Sequence, residues 1–265
     1  MIPVGLHALN PGPMTGQGNW TWLLTGRVPT LIDAGVGEPG HLEAIESALG
    51  GAALAQVLVT HGHPDHAAGV PSLAKRWPHA RFLKMPWPER DVRWPAAWEP
   101  IADGDRLAAG DTSVVAVHTP GHAPDHLCFW HEDTRNVFCG DLAQKGTTIF
   151  IPADRGGDLA AYIASLERIL ALNPVRLYPA HGAIIEDPAS LIRHYIEHRH
   201  EREAQILDAL RRGDTSTEDV VARLYRGLPE ALILRARDTV TAHLRKLERD
   251  GRVTRTDEGW HIIGP

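Results

Sequence analysis

Thr60-His61-Gly62-His63-Pro64-Asp65-His66 is the stretch on which the reading of this chain turns. The apolar run Gln56-Val57-Leu58-Val59 precedes it and has the composition of a buried strand. Ala67-Ala68-Gly69-Val70 follows and reads as the start of a short helix. Imidazoles and a carboxylate therefore crowd the turn that leaves a strand's C-terminal end, where sites of α/β proteins gather. Those side chains are the usual nitrogen and oxygen ligands of zinc. Alternation along the turn lets His61 and His63 point to one centre while Asp65 and His66 point to a second. A solvated polar turn is the plain alternative, but donors packed this closely repel once charged unless a cation sits among them.

Working outward, the chain of 265 residues has room for one large domain, or one with a small appendage. A net charge of -6 gives no overall basic bias toward nucleic acid. No apolar run is long enough to span a bilayer. Met1-Ile2-Pro3-Val4-Gly5 lacks the charged and apolar regions of a signal peptide. Cys128 and Cys139 are the only cysteines, which argues against a disulfide scaffold and suits a reducing cytoplasm. Sixteen histidines, several in loops after strands, already hint at metal.

Residues 10–18 read as a Gly/Pro loop. Residues 20–24 and 30–33 read as paired strands, 38–49 as a helix stopped by Gly50-Gly51, and 81–84 as another strand. Between 86 and 100, Trp87, Trp94 and Trp98 lie among prolines, which forbid a long helix. This segment reads as a loop or broken helix over the surface, either a wall of the site or an insertion with tryptophans plugged into the core. Strands are expected at 114–118, 127–130, 136–139 and 175–178, with a helix at 159–170. They lead into Pro120-Gly121-His122, Gly140-Asp141 and Ala180-His181-Gly182. Alternating strands and helices give an α/β domain over residues 1–185. Beyond it, over 186–265, come a long helix at 189–211, a capping box at Thr215-Ser216-Thr217-Glu218 opening a helix at 219–225, a helix at 231–249, and a hairpin turning at Asp257-Glu258-Gly259. Helices followed by a hairpin suggest a small winged-helix unit.

The order His-x-His-x-Asp-His, then a lone His, Asp and His, resembles the metallo-β-lactamase superfamily. That resemblance implies a four-layer αβ/βα sandwich with two metals at one edge of its sheets. His61, His63 and His122 would bind one metal. Asp65, His66 and His181 would bind the other, Asp141 would bridge them, and Asp65 would also serve as the catalytic carboxylate. Asp33 would support the turn without ligating. Three further stretches, 10–15, 119–126 and 195–199 continuing to 243–253, are similar to the β-lactamase-like protein 2 family, which couples this fold to a C-terminal winged helix. Animal mitochondrial members of that family are zinc-dependent endoribonucleases on single-stranded RNA. The family usually has Gly-Thr-Asn-Thr-Tyr where this chain has Gly18-Asn19-Trp20-Thr21-Trp22.

Two dications close together need an anion between them, and metal-bound water has a pKa near ~7 rather than ~15.7, so hydroxide forms at neutral pH. The expected activity is hydrolysis by a metal-bridging hydroxide: of a phosphodiester such as single-stranded RNA or, alternatively, of a thioester in the manner of glyoxalase II, or of a lactone. Two zinc ions per chain are expected, with iron or manganese as alternatives. A winged-helix regulator with a vestigial metal domain is disfavoured because every ligand position is filled. His118 reads as a packed neighbour, His126 as a structural hydrogen-bonder before a gate, Cys139 as no ligand, and His194 with His198 as a solvated helix face. Arg245, Lys246, Arg249, Arg252 and Arg255 could touch phosphates, but Glu248, Asp250, Asp257 and Glu258 lie among them, so packing against the active-site rim is the stronger expectation. Nothing in the sequence sets an oligomeric state.

Overall fold

A computed structural model describes residues 2–264; Met1 and Pro265, the outer bounds of the two expected units, lie outside them. The first sheet runs β1 (Val4–His7), β2 (Trp20–Leu24), β3 (Thr30–Ile32), β4 (Gln56–Leu58), β5 (Arg81–Lys84) and β6 (Trp98–Pro100), neighbours in that order. Its first three strands are antiparallel, and β3 to β6 are parallel. Helices α1 (Pro39–Leu49), α2 (Pro64–Ala67), α3 (Val70–Arg76) and α4 (Pro88–Asp91) interleave with it. The second sheet comprises β7 (Arg106–Ala109), β8 (Thr112–His118), β9 (Leu127–His131), β10 (Asn136–Gly140) and β11 (Arg176–Pro179), in the order β11-β10-β9-β8-β7. Helix α5 (Leu159–Ala171) provides its crossover from β10 to the parallel β11.

Strand periodicity explains the layering. In β2, Leu23 faces one core while Trp22 and Leu24 face another; in β4, Val57 and Leu58 divide the same way. Leu23 and Val57 meet Ile45 of α1 and Leu73 of α3 on the outer face. Trp22, Leu24 and Leu58 meet Phe129, Phe138 and Tyr178 of the second sheet. Cys128, Val137 and Cys139 turn to a third core under Tyr162, Leu166 and Tyr195. Strands buried on both faces read as unbroken apolar runs, and only the period of two separates their layers. The result is the expected four-layer αβ/βα sandwich.

The segment 86–100 departs from a plain loop. It forms α4 and then β6, whose Trp98 and Pro100 pair with Phe82 and Lys84 at the sheet edge, the position in a sheet that tolerates proline. Strand β7 was not expected from the sequence. Helix α6 (Pro188–Arg211) is the spine of the rest: Ile192 and Tyr195 join the core under the second sheet, whereas Ile206 and Leu210 join a separate core with α7 (Thr217–Leu224), α8 (Glu230–Arg249) and Trp260. The capping box lies one residue later than expected: Ser216 Oγ accepts from the Asp219 amide, and Asp219 reaches back to Ser216 N. Strands β12 (Val253–Thr256) and β13 (Gly259–Ile262) form the wing.

Candidate metal centre

All the expected ligands lie at C-terminal ends of strands, just past β4, β8, β10 and β11, and the two sheets bring those ends together. His61, His63 and His122 converge, with His63 Nδ1 2.9 Å from both His61 Nε2 and His122 Nε2. Asp65, His66 and His181 form a second group, with His181 Nε2 3.1 Å from Asp65 Oδ2. Asp141 stands between. Its Oδ1 faces His66 Nε2 at 3.4 Å and His181 Nε2 at 3.3 Å, while its Oδ2 faces His122 Nε2 at 3.4 Å. One carboxylate thus presents one oxygen to each group.

These residues fit a pair of cations on two observations. His66 Nε2 and Asp141 Oδ1 are buried, face each other, and have no hydrogen-bond partner among the described residues. Such atoms are costly to bury unless something charged lies between them. The second observation is charge. Burial would push His66 down, but Asp33, Asp65 and Asp141 hold it well above the ordinary histidine value. This half of the site is rich in negative charge and asks for a cation. In the other half, burial together with His122 pushes His63 down to about 3, and burial with the surrounding imidazoles pushes His61 well down. Both are neutral there, the form in which imidazole donates a lone pair.

The residues behind these ligands set their orientation. Asp33 adopts a left-handed backbone (φ 64°), unusual for a side chain other than glycine. Its Oδ1 accepts from Thr60 N at 2.8 Å and Thr60 Oγ1 at 2.9 Å, and its Oδ2 lies 2.8 Å from His66 Nδ1. That bond leaves His66 Nε2 for the site. His122 Nδ1 lies 2.8 Å from Phe150 O, which directs its Nε2 inward in the same way. His126 is structural: its Nδ1 meets Thr119 Oγ1 at 2.8 Å and its Nε2 accepts the Asp141 amide at 3.1 Å. Gly140 has φ 46°, and a Cβ there would come within 2.9 Å of Thr60 Oγ1. His118 hydrogen-bonds Pro124 O, Cys139 is buried with its Sγ toward Ala143 O, and His194 is exposed on α6.

Sequence reasoning missed two supports. Lys84 is buried, with Nζ 2.6 Å from Asp91 Oδ1 and 3.0 Å from Asp125 Oδ2. Asp125 Oδ2 also accepts the Gly62 amide at 2.8 Å, and Trp94 Nε1 donates to Gly62 O at 3.2 Å. Strand β5 and the Trp/Pro segment therefore grip the turn between His61 and His63. Removing one partner of such a buried pair costs about 3–5 kcal/mol. The second support is Asn19, fully buried, whose Nδ2 donates to Asp65 O at 2.8 Å. A lysine within an apolar strand and an asparagine at a strand start were the available signals.

Phe150 and Ile149 from the 147–150 loop, Met14 and Val36 from other loops, and three arginines surround a cavity of about 650 Å³ over these ligands. Tyr195 on α6 shapes that wall: its hydroxyl accepts from Gln144 N at 3.1 Å and contacts Gln144 O and Thr147 O, and Arg199 donates to Ile149 O. Two arginines of α8 bind the segment 153–158 before α5. Arg245 binds Ala153 O and Asp154, and Arg249 makes a two-pronged pair with Asp158 at 2.7 and 2.8 Å.

Residues 13–181 match the metallo-beta-lactamase superfamily profile. The chain belongs to that superfamily. Residues 216–260 match the beta-lactamase associated winged helix domain. A beta-lactamase-like protein 2 homolog of Caenorhabditis elegans is 33% identical over 92% of this chain and 83% of its own length. An atrochrysone carboxyl ACP thioesterase of Claviceps purpurea is 34% identical over 82% of this chain and 69% of its own length. A beta-lactamase domain protein from Burkholderia ambifaria shares the fold with a TM-score of 0.84, at 21% identity, covering 98% of this chain and 91% of the other. Members of the superfamily are generally hydrolases, and this chain has His and Asp clusters that could hold metal.

Proposed function

We propose that this superfamily member is a dinuclear metal-dependent thioesterase. The observation that carries the reading is the size of the site: an open-mouthed cavity of about 650 Å³, within the range of a small-molecule site, whose lining mixes the apolar Met14, Val36, Ile149, Phe150 and Pro152 with polar and charged side chains. The likeness to a relative named as an ACP thioesterase supports it. So does the engagement of α8, whose arginines Arg245 and Arg249 bind Asp154 and Asp158 and are not free for nucleic-acid phosphates.

In this reading His61, His63 and His122 would hold one metal and Asp65, His66 and His181 the other, with Asp141 available to both. Zinc is the first choice for this nitrogen and oxygen set, with iron or manganese as alternatives. When bound, the pair supplies a water ionised near neutral pH and polarises the substrate carbonyl. The protein's own part is positional. Asp33, Thr60 and Phe150 O orient the imidazoles, and Ile149 and Phe150 offer apolar surface to the acyl group. Attack by the water on the thioester carbon would form the carbon–oxygen bond and break the carbon–sulfur bond, and a proton given up by that water would end on the departing thiolate; Asp65 is proposed as the carboxylate that carries it.

The test is thiol release from acyl thioesters by the metal-loaded protein, with and without chelator, alongside elemental analysis. Thiol release that stops with chelator is the expected result. A second reading, cleavage of single-stranded RNA, draws on the arginines at the cavity mouth. Metal-dependent RNA cleavage with no thioester turnover would replace the first reading by the second.

A further inference from the structure

The cavity carries charge that hydrolysis at the metals does not use. Apart from Asp65 and Asp141, which face the candidate metals, its wall holds no carboxylate among the described residues, yet Arg90, Arg155 and Arg235 all line it. They come from three separate parts of the chain: α4, the loop before α5, and α8. Arg90 lays its stem over the metal-binding turn, so close that a Cβ on Gly62 would meet Arg90 Cγ at 2.9 Å. Its guanidinium sits 5.0 Å from the Trp87 ring centroid, and that ring lies 6.2 Å from the His63 ring. Among the described residues no carboxylate lies within ion-pair distance of Arg90. Arg155 sits over Phe150 at 5.9 Å, and its loop touches Trp87, since a Cβ on Gly156 would lie 3.3 Å from that indole. Arg155 pairs with Asp238 at 3.3 Å. Arg235 is exposed and donates to Pro13 O at 3.1 Å. Burial and the like charges of Arg93 and Arg155 lower the affinity of Arg90 for its proton, and the nearby Asp125 only partly offsets them. Cations lining one cavity, with Asp238 on Arg155 as their one ion-pair carboxylate among the described residues, are poised for an anion that arrives with the substrate.

Resting on the thioester reading, we infer that Arg90 and Arg155, with Arg235 at the outer rim, form a subsite for a phosphate group carried on the thiol half of the substrate. The acyl half then lies against Ile149 and Met14, and the phosphate stays at the mouth, away from the bond that breaks. Guanidinium forks match the paired oxygens of a phosphate, and the Trp87 face keeps the Arg90 fork oriented. Such a phosphate occurs on a phosphopantetheine arm, whether free as coenzyme A or attached to a carrier protein.

The test compares one acyl group on two thiols, coenzyme A and the neutral N-acetylcysteamine, using metal-loaded full-length protein. Wild type prefers the coenzyme A thioester, and Arg90→Ala cuts that preference in kcat/KM about tenfold or more, mainly through KM. Arg155→Gln, on a different loop, reduces it in the same direction and guards against a folding defect in either variant. A carrier-protein thioester assayed alongside separates the two sources of the phosphate: whichever is used with the lower KM and loses more in Arg90→Ala is the one served. Calorimetry with coenzyme A and with pantetheine reads the subsite without turnover. If no thioester is hydrolysed but coenzyme A still binds more tightly than pantetheine in an Arg90-dependent way, the subsite stands and the thioesterase reading falls. Turnover of both thioesters with equal loss in Arg90→Ala overturns the subsite alone. An effect of Arg90→Ala seen only in RNA cleavage overturns it too.

Discussion

Asp33 shows how much a single residue can decide. It spends left-handed backbone strain to hold the Thr60 amide, the Thr60 hydroxyl and His66 Nδ1 at once. Asp33→Ala frees that imidazole and the turn, and supports of this kind are worth about 10–100-fold in metal affinity. Competition with a chromogenic chelator should show a loss of that size; an unchanged affinity would reduce Asp33 to a turn former. His41 carries a different prediction. It is fully buried on α1 with Nε2 2.8 Å from Thr21 Oγ1, and burial, helped by His7, lowers its pKa to about 4. The unfolded chain binds its proton near pH 6.5 and the folded chain only near pH 4. The stability it contributes is complete above pH 6.5 and is lost as pH falls toward 4, by about 3 kcal/mol at most. Urea midpoints between pH 4 and 7 should slope upward with pH, and His41→Gln should flatten part of that slope.

At the scale of elements, α6 does two jobs. Its first half closes the core under the second sheet, and its second half closes the core of the winged-helix unit. We propose that the two units, 1–185 and 186–265, communicate through it, because Tyr195 and Arg199 hold the 144–149 wall of the cavity. Tyr195→Phe keeps the ring packing and removes the hydroxyl from Gln144 and Thr147. A stability loss of about 1–3 kcal/mol is expected. The amide of Gln144 should exchange faster and KM should rise, whereas a pure stability loss with unchanged KM would separate helix from site. The amphipathic period of α6 marks its buried face, but not that its two halves face different cores. The Trp/Pro segment is similar: its prolines ruled out a long helix, while the edge pairing of β6 and the Trp94 bond to Gly62 O depend on neighbours distant in the chain.

For the molecule as a whole, the sandwich brings buried carboxylates and imidazoles from both sheets to one edge, where only cations balance them. Metal should therefore act as a folding ligand. A thousandfold excess over the dissociation constant stabilises by about 4 kcal/mol. Stripping with chelator should lower the thermal midpoint and restoring the metal should recover it; coincident melting curves would contradict the proposed centre. Residue order alone named the family, the layered fold and the candidate ligands. Those signals are local: a polar cluster directly after an apolar run marks a strand end, and a period of two marks a strand. Folding alone decided that Lys84 joins Asp91 to Asp125, that Arg245 and Arg249 bind Asp154 and Asp158, and that Arg90 is left beside the cavity with no carboxylate at ion-pair distance among the described residues. Periodicity records that a face is covered, but the partner that covers it, or leaves a charge free, is fixed by packing between residues far apart in the chain.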